Sequence, residues 1–366
     1  MGLNTDGDAA LAGWQLPQRD LNAVLDQTDG LWRTAAGAQV LLTGASGFIG
    51  AWLVETLLWA NARLDLGLRL TIVARNVDRL RALRPLWSAH RNVTFFQADV
   101  VSDPLPAGPH DFVVHGAAET NVRLDNPAPG SMLMTSVIGT QRLLEACGHR
   151  RETRFLFLSS GAVYGRQPAE LECLAETDLI APDCERVQLA YGHGKRAAEV
   201  LLNCQAAAQW IHGVSARCFA FSGPFLPLDS GFAAGNFVAD ALAGRAITIQ
   251  GDGTPLRSYL YGLDMATWLW HLLFRGRSGA VYNVGSPHAV SIAELAARVR
   301  TASGDAHAPN IQVLTPPTPG RPPERYIPDV QRAMNELDLQ ITVDLDEGLR
   351  RMFAWHRDYA LNGQKL

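Results

Sequence analysis

From Gln39 onward, short apolar runs alternate with longer segments whose apolar positions fall three and four residues apart. The short runs, at 39–42, 70–74, 93–96, 112–115, 155–158 and 214–217, predict strands. The longer segments predict helices: one carries Trp52, Leu53, Val54, Leu57 and Leu58, and others span 132–147 and 191–204. Strands separated by helices require right-handed crossovers, so residues 38–218 predict an α/β fold, a Rossmann-type doubly wound parallel sheet. Residues 1–37 precede it with a helical pattern at Leu21, Val24, Leu25 and Trp32, which predicts an N-terminal helical arm packed on the core or on a partner subunit. Beyond 219, proline and glycine clusters break the alternation, and residues 219–366 read as a smaller C-terminal substrate lobe with segments returning to the sheet domain. The proline-rich stretch 315–323 reads as a surface loop, and no internal repeat is present.

The first predicted strand ends in Thr43-Gly44-Ala45-Ser46-Gly47-Phe48-Ile49-Gly50, where it turns into the first long helix. Glycines between a strand and a helix let the backbone approach a pyrophosphate, and the helix N-terminus offers N–H groups and a positive dipole end. Gly44, Ser46, Gly47, Phe48, Ile49 and Gly50 are therefore candidate cofactor contacts, spaced Gly-x-x-Gly-x-x-Gly and without the Gly-Lys-Ser/Thr ending of a P-loop. The strand at 70–74 ends at Arg75, where an NAD site usually places an acid for the ribose hydroxyl. A guanidinium there suits a 2′-phosphate and tilts the expected cofactor from NAD toward NADP. Asp99 and Val100, after the next strand, are expected at the adenine edge.

Lysine occurs only at positions 195 and 365, with arginine at every other basic position, and Lys195 stands four residues after Tyr191. On a helix this spacing puts a phenol and a compact ammonium on one face. A nearby ammonium lowers a phenol's pKa, which makes a Tyr-Lys pair an acid or base near neutral pH. The strand at 154–158 delivers Ser159, Ser160 and, after Gly161-Ala162-Val163, Tyr164. Ser160 is the preferred partner for the substrate oxygen, with Ser159 as a strand-terminal hydrogen bonder and Tyr164 as a pocket wall.

These motifs in this order, together with Val114-His115-Gly116-Ala117-Ala118, resemble the extended short-chain dehydrogenase/reductase superfamily, and within it the NAD-dependent epimerase/dehydratase family acting on nucleotide sugars. The resemblance covers roughly residues 37–357 and continues through the segment 217–224 and the arginine-bearing loop 251–264. It implies Ser160, Tyr191 and Lys195 as the catalytic set, and Ala117, Ala118, Tyr191 and Lys195 among the cofactor contacts. It also implies Asn236, Arg257 and Arg321 around the nucleotide diphosphate, and a homodimer built on the helices of 132–147 and 191–204. The chain departs from the family pattern at Ser136 and Ala220, where Asn is common. It departs again at Gly161-Ala162, where 4,6-dehydratases carry an Asp-Glu pair; Glu119 is the nearest other acid in the motifs.

Composition narrows the class further. A net charge of −4 gives no reason to expect nucleic acid. The longest apolar run, 260–274, contains Asp264 and is too short to span a bilayer. Five cysteines form no Cys-x-x-Cys pair and the histidines show no ligand spacing, which points to a cytoplasmic protein with no metal. The expected activity is an NAD(P)-dependent nucleotide-sugar epimerase or 4-ketoreductase. The alternatives are a 4,6-dehydratase, an NADPH-dependent reductase of another carbonyl or thioester, and a non-catalytic cofactor-binding scaffold.

Overall fold

The computed structural model describes residues 14–118, 130–229, 231–304 and 310–361. Its centre is a sheet of seven parallel strands: β1 (Gln39–Thr43), β2 (Arg69–Ala74), β3 (Val93–Gln97), β4 (Phe112–His115), β5 (Arg154–Ser160), β6 (His212–Cys218) and β7 (Val281–Val284). They lie in the order β7-β6-β5-β4-β1-β2-β3. Strands 40–42 and 155–157 are apolar on both faces because helices cover both sides of the sheet.

The longer helices are α1 (Gln18–Gln27), α2 (Phe48–Leu64), α3 (Ser131–Cys147), α4 (Ala190–Ala207), α5 (Ala233–Leu242), α6 (Gly262–Arg275), α7 (Ile292–Ala302) and α8 (Leu345–Leu361). On one face α2 lies between the sheet, α1 and α6, so Trp52, Leu53, Val54, Leu57 and Leu58 are all buried and the helix is apolar around its circumference. α3 and α4 pack together on the other face. α5, α7 and α8 enclose a separate core with Ile247 and Ile249. The run 260–274 forms α6, whose Asp264 is buried and accepts hydrogen bonds from the Thr342 and Val343 amides and the Thr342 hydroxyl. No described helix is long and apolar enough to cross a membrane.

The N-terminal arm docks on this frame. Leu21, Val24 and Trp32 are buried and Leu25 is half-buried; each fully buried side chain of this size stabilises by roughly 1.5–3 kcal/mol. Polar ties fix the arm's direction: Tyr261 Oη donates to Asp20 at 2.7 Å, and Arg351 reaches the other Asp20 oxygen at 2.8 Å. The buried Glu55 carboxylate accepts from the Gln15 amide and from Trp87 Nε1. The stretch 315–323 is exposed along nearly all of its length.

Candidate functional site

β1 and β4 are neighbours whose crossovers leave in opposite directions, and such a switch point at the carboxyl ends of the strands is where open α/β sheets hold ligands. The glycine turn sits there. Gly44 has φ of +82°, and a Cβ on it would stand 2.4 Å from the Gly116 carbonyl carbon. A Cβ on Gly50 would stand 2.2 Å from the Gly44 carbonyl oxygen, so glycine at 50 lets α2 start hard against the turn. Gly47 differs: it has ordinary φ, is exposed, and a Cβ would meet only the Gly44 oxygen at 3.6 Å. Nothing inside the protein requires glycine at 47. A main chain open to close approach, at the N-cap of a helix that no side chain caps, fits a dinucleotide pyrophosphate.

Behind the turn, Thr43 Oγ1 accepts from the Gly116 and Ala117 amides and lies 2.8 Å from His115 Nδ1. With its lone pairs taken, the Thr43 hydroxyl donates to Nδ1, which leaves the proton of the neutral imidazole on Nε2. Burial, helped by Lys195, brings His115 down to about 3, so the ring stays neutral. Ala117 and Ala118 are half-buried beside Gly44. Arg75 is exposed just past β2. One Asp99 oxygen accepts from the Val101 amide at 2.8 Å. The Val100 side chain is buried against Gly139, so a contact to a cofactor from this position comes from its main chain.

Tyr191, Lys195 and Ser160 come together at the ends of α4 and β5, and two glycines explain how. A Cβ on Gly192 would stand 2.3 Å from the Ala162 carbonyl oxygen, and one on Gly194 would stand 2.7 Å from Leu133 Cα. Glycine at both positions lets the first turn of α4 press onto the turn after Ser160 and onto α3. Tyr191 is thereby brought beside the Ser160 hydroxyl. Ser160 Oγ accepts from the Ala162 amide at 3.2 Å. Lys195 is 1% exposed; its Nζ donates to the Leu158 carbonyl at 2.7 Å and sits 5.7 Å from the Tyr191 ring centre.

The sequence predicts that Lys195 depresses the Tyr191 pKa, and in the protein alone it does not. Burial pushes Tyr191 up to about 12, with the neighbouring Ser160 hydroxyl acting against the rise, and the Lys195 ammonium hydrogen-bonds the Leu158 carbonyl and not the phenol. Burial also brings Lys195 down to about 8. Tyr164 corrects a second expectation: it is 1% exposed, donates to Asn283 Oδ1 at 2.9 Å and lies beneath Arg217, so it belongs to the core and not to a pocket wall. His193, between Tyr191 and Lys195 on α4, is half-buried. Ser159 donates to Glu199 at 2.5 Å, and Glu199 holds Arg217 through a 2.7 Å ion pair. Glu199 lies one helical turn after Lys195, a spacing visible in the sequence.

The residue that sequence reasoning missed is Tyr326. A two-residue parallel bridge sets it opposite Arg257, one of the expected diphosphate contacts. Its ring centroid lies 4.6 Å from that of Phe219, and its phenol lies beside Ser160. A Cβ on Gly161 would stand 2.4 Å from Tyr326 Oη, so the space an acidic side chain at 161 would need is taken by a phenol. Asn236 is half-buried on α5. Arg321 lies on the exposed loop, 3.4 Å from Glu324, in the surface pair that is an arginine's ordinary alternative there. Ser136 is buried, with its hydroxyl turned back to the Met132 carbonyl. Glu119 lies outside the described residues.

The NAD dependent epimerase/dehydratase family matches residues 40–285. UDP-glucuronic acid decarboxylase 6 of Arabidopsis thaliana is 30% identical over 315 residues, which are 86% of this chain and 87% of the relative. A dTDP-glucose 4,6-dehydratase of Streptomyces niveus is 28% identical over 335 residues, 87% of this chain and 93% of the relative. The solved structure of MoeE5 in complex with UDP-glucose and NAD superposes with a TM-score of 0.70 at 28% identity, covering 88% of this chain and 100% of the other.

Proposed function

The chain belongs to the NAD dependent epimerase/dehydratase family, and from that premise we propose that it transfers hydride between a sugar carbon of a nucleotide sugar and the nicotinamide, either as an epimerase, which oxidises and re-reduces that carbon, or as a 4-ketoreductase, which reduces a 4-keto sugar with the reduced cofactor. Bound NAD supplies the hydride acceptor and a positively charged ring. The protein supplies the proton chemistry: Tyr191 takes the hydroxyl proton, Ser160 shares the same oxygen, and Lys195 holds the nicotinamide ribose beside them. The turn 44–50 is assigned to the pyrophosphate, Asp99, Val100, Ala117 and Ala118 to the rest of the dinucleotide, and Asn236, Arg257 and Arg321 to the sugar nucleotide's diphosphate. A preference for NADP over NAD is supported by the position of Arg75 alone.

One observation carries the choice among outcomes: Gly161 and Ala162 follow Ser160, and the Tyr326 phenol fills the space beside Gly161. Elimination of a sugar hydroxyl needs a positioned acid, and neither residue can be one. A second reading, a nucleotide-sugar acid decarboxylase, is favoured by the 30% identical relative. A 4-keto group makes the C5 carboxylate a β-keto acid, which loses carbon dioxide without an acid at 161 or 162. Incubation of the protein and NAD with UDP-glucose, dTDP-glucose and UDP-glucuronic acid, followed by NMR of the products, separates the outcomes. A C4 epimer is expected. Pentose and carbon dioxide from UDP-glucuronic acid would replace the main reading with the second, and a 4-keto-6-deoxy sugar would refute both.

The same reading includes a homodimer through α3 and α4. On these helices Met134 and Val200 are 46% and 58% exposed, and Leu133, Val137 and Leu201 are half-buried beside them. Exposed apolar side chains on a sheet-covering helix pair are what a second copy buries. Light scattering is expected to give twice the chain mass. A monomer at every concentration would mean that this face meets only water.

A further inference from the structure

At the amino ends of β1, β4 and β5, the far end of the sheet from the glycine turn, lies a cavity of about 570 Å³ that the proposed reaction does not use. That volume falls within the ~300–1,000 Å³ of small-molecule sites. One wall is the end of the N-terminal arm and its link to β1, residues 34 and 36–38; the others are Asp111 and Phe112 at β4, Glu152 and Arg154 at β5, and Phe274 at the end of α6. Six residue steps of β1 and its flanks, from 38 to 44, separate this wall from the glycine turn, roughly 20 Å at the strand rise of ~3.3 Å per residue. A ligand here is therefore not the dinucleotide.

Arg154 gives the reason to expect one. It is half-buried, it lines the cavity, and among the described residues no carboxylate forms an ion pair with it. Its Nη1 donates to the Leu273 carbonyl at 3.2 Å, which caps the last turn of α6 and is an ordinary structural use of an arginine at a helix C-terminus. A guanidinium carries five N–H donors in a planar fork, so the cap leaves most of them for another acceptor. Withdrawal from water also holds the Arg154 pKa below its ordinary value, as befits a cation without a counter-charge.

The same cavity carries two acids with spare capacity. One Asp111 oxygen accepts from the Gln39 amide at 2.8 Å, and the other lies 4.0 Å from Arg150. Glu152 is exposed and forms no ion pair among the described residues. A plain anion would meet these acids, and a plain cation would meet Arg154. A ligand bearing both charges suits all three. Phe112 pairs in register with Arg154, and its ring centre lies 4.9 Å from that of Phe274, which sets an apolar wall beside the charges. We propose that this cavity binds a free amino acid with an apolar side chain: its carboxylate on Arg154, its ammonium on Asp111 and Glu152, and its side chain along Phe112 and Phe274.

The test is isothermal titration of the full chain, saturated with NAD, with L-phenylalanine, phenylacetate and phenethylamine. Phenylalanine is expected to bind one to one. Each analogue lacks one of the two charges and is expected to bind at least ~10-fold more weakly, the loss of one charge-assisted contact. Arg154→Lys keeps a donor for the Leu273 carbonyl but loses the planar fork, and Glu152→Gln alters an exposed side chain, so both variants should fold. Each is expected to weaken phenylalanine by ~10-fold or more while NAD binding stays as in wild type. The proposal is overturned by no phenylalanine binding in wild type, by either analogue binding as tightly as phenylalanine, or by a phenylalanine affinity within about twofold of wild type in either variant.

Discussion

Replacing Tyr191 by Phe is expected to lower turnover by at least ~10²-fold while NAD binding stays nearly intact. The change removes one hydroxyl and keeps the ring, so the loss isolates proton transfer, for which a positioned acid or base typically contributes 10²–10⁴-fold. Binding survives because the assigned dinucleotide contacts are mostly groups of the turn 44–50 and of other strand ends, which the change leaves in place. Tryptophan fluorescence on NAD titration and steady-state turnover of the same preparation check the two halves. Turnover near wild type in this variant would remove Tyr191 from the proton-transfer role. Because burial holds the phenol at about 12 in the protein alone, activity should rise with pH as Tyr191 deprotonates. The cofactor complex should titrate below the free protein, since a positive nicotinamide ring favours the phenolate.

The second large effect is on stability. Glu199 and Arg217 form a nearly buried pair, their side chains 5% and 12% exposed, and Glu199 also accepts from Ser159. Removing one partner of such a pair leaves a charge in a dry environment and typically costs about 3–5 kcal/mol. Arg217 lies at the end of β6, in contact with Tyr164, whose hydroxyl is tied to Asn283 on β7. Glu199→Ala is therefore expected to destabilise the protein by about 3–5 kcal/mol in urea unfolding. A loss below ~1 kcal/mol would show that Arg217 finds water or another acceptor.

What was legible in the sequence was local. The turn 44–50, the Ser160 strand end and the Tyr191–Lys195 face each depend on neighbours within a few residues, and periodicity places them correctly on β1–α2, β5 and α4. The parallel alternation through β6 follows from the same signal. Tyr326 was not legible, because its place depends on 325–326 pairing with 256–257 and on a packing vacancy at Gly161, neither of which leaves a periodic trace. The burial of Tyr164 and the hydrogen bond of Lys195 to the main chain were hidden for a related reason. Both are set by what surrounds the side chain in three dimensions: Asn283 and Arg217 for one, the Leu158 carbonyl for the other. The glycines of Tyr191-Gly192-His193-Gly194-Lys195 were visible as letters, yet their purpose emerged only with Ala162 and Leu133 beside them.

The central claim is that this chain moves a hydride between a nucleotide-sugar carbon and NAD, with Tyr191 handling the proton. Stopped-flow absorbance at the reduced-nicotinamide band, after mixing the NAD complex with the nucleotide sugar that NMR shows to be consumed, tests it most directly. Reduced nicotinamide that appears within a turnover in wild type and is abolished in Tyr191→Phe is the predicted result. Product formed with no reduced intermediate, or with an intermediate that appears equally fast in Tyr191→Phe, would contradict it.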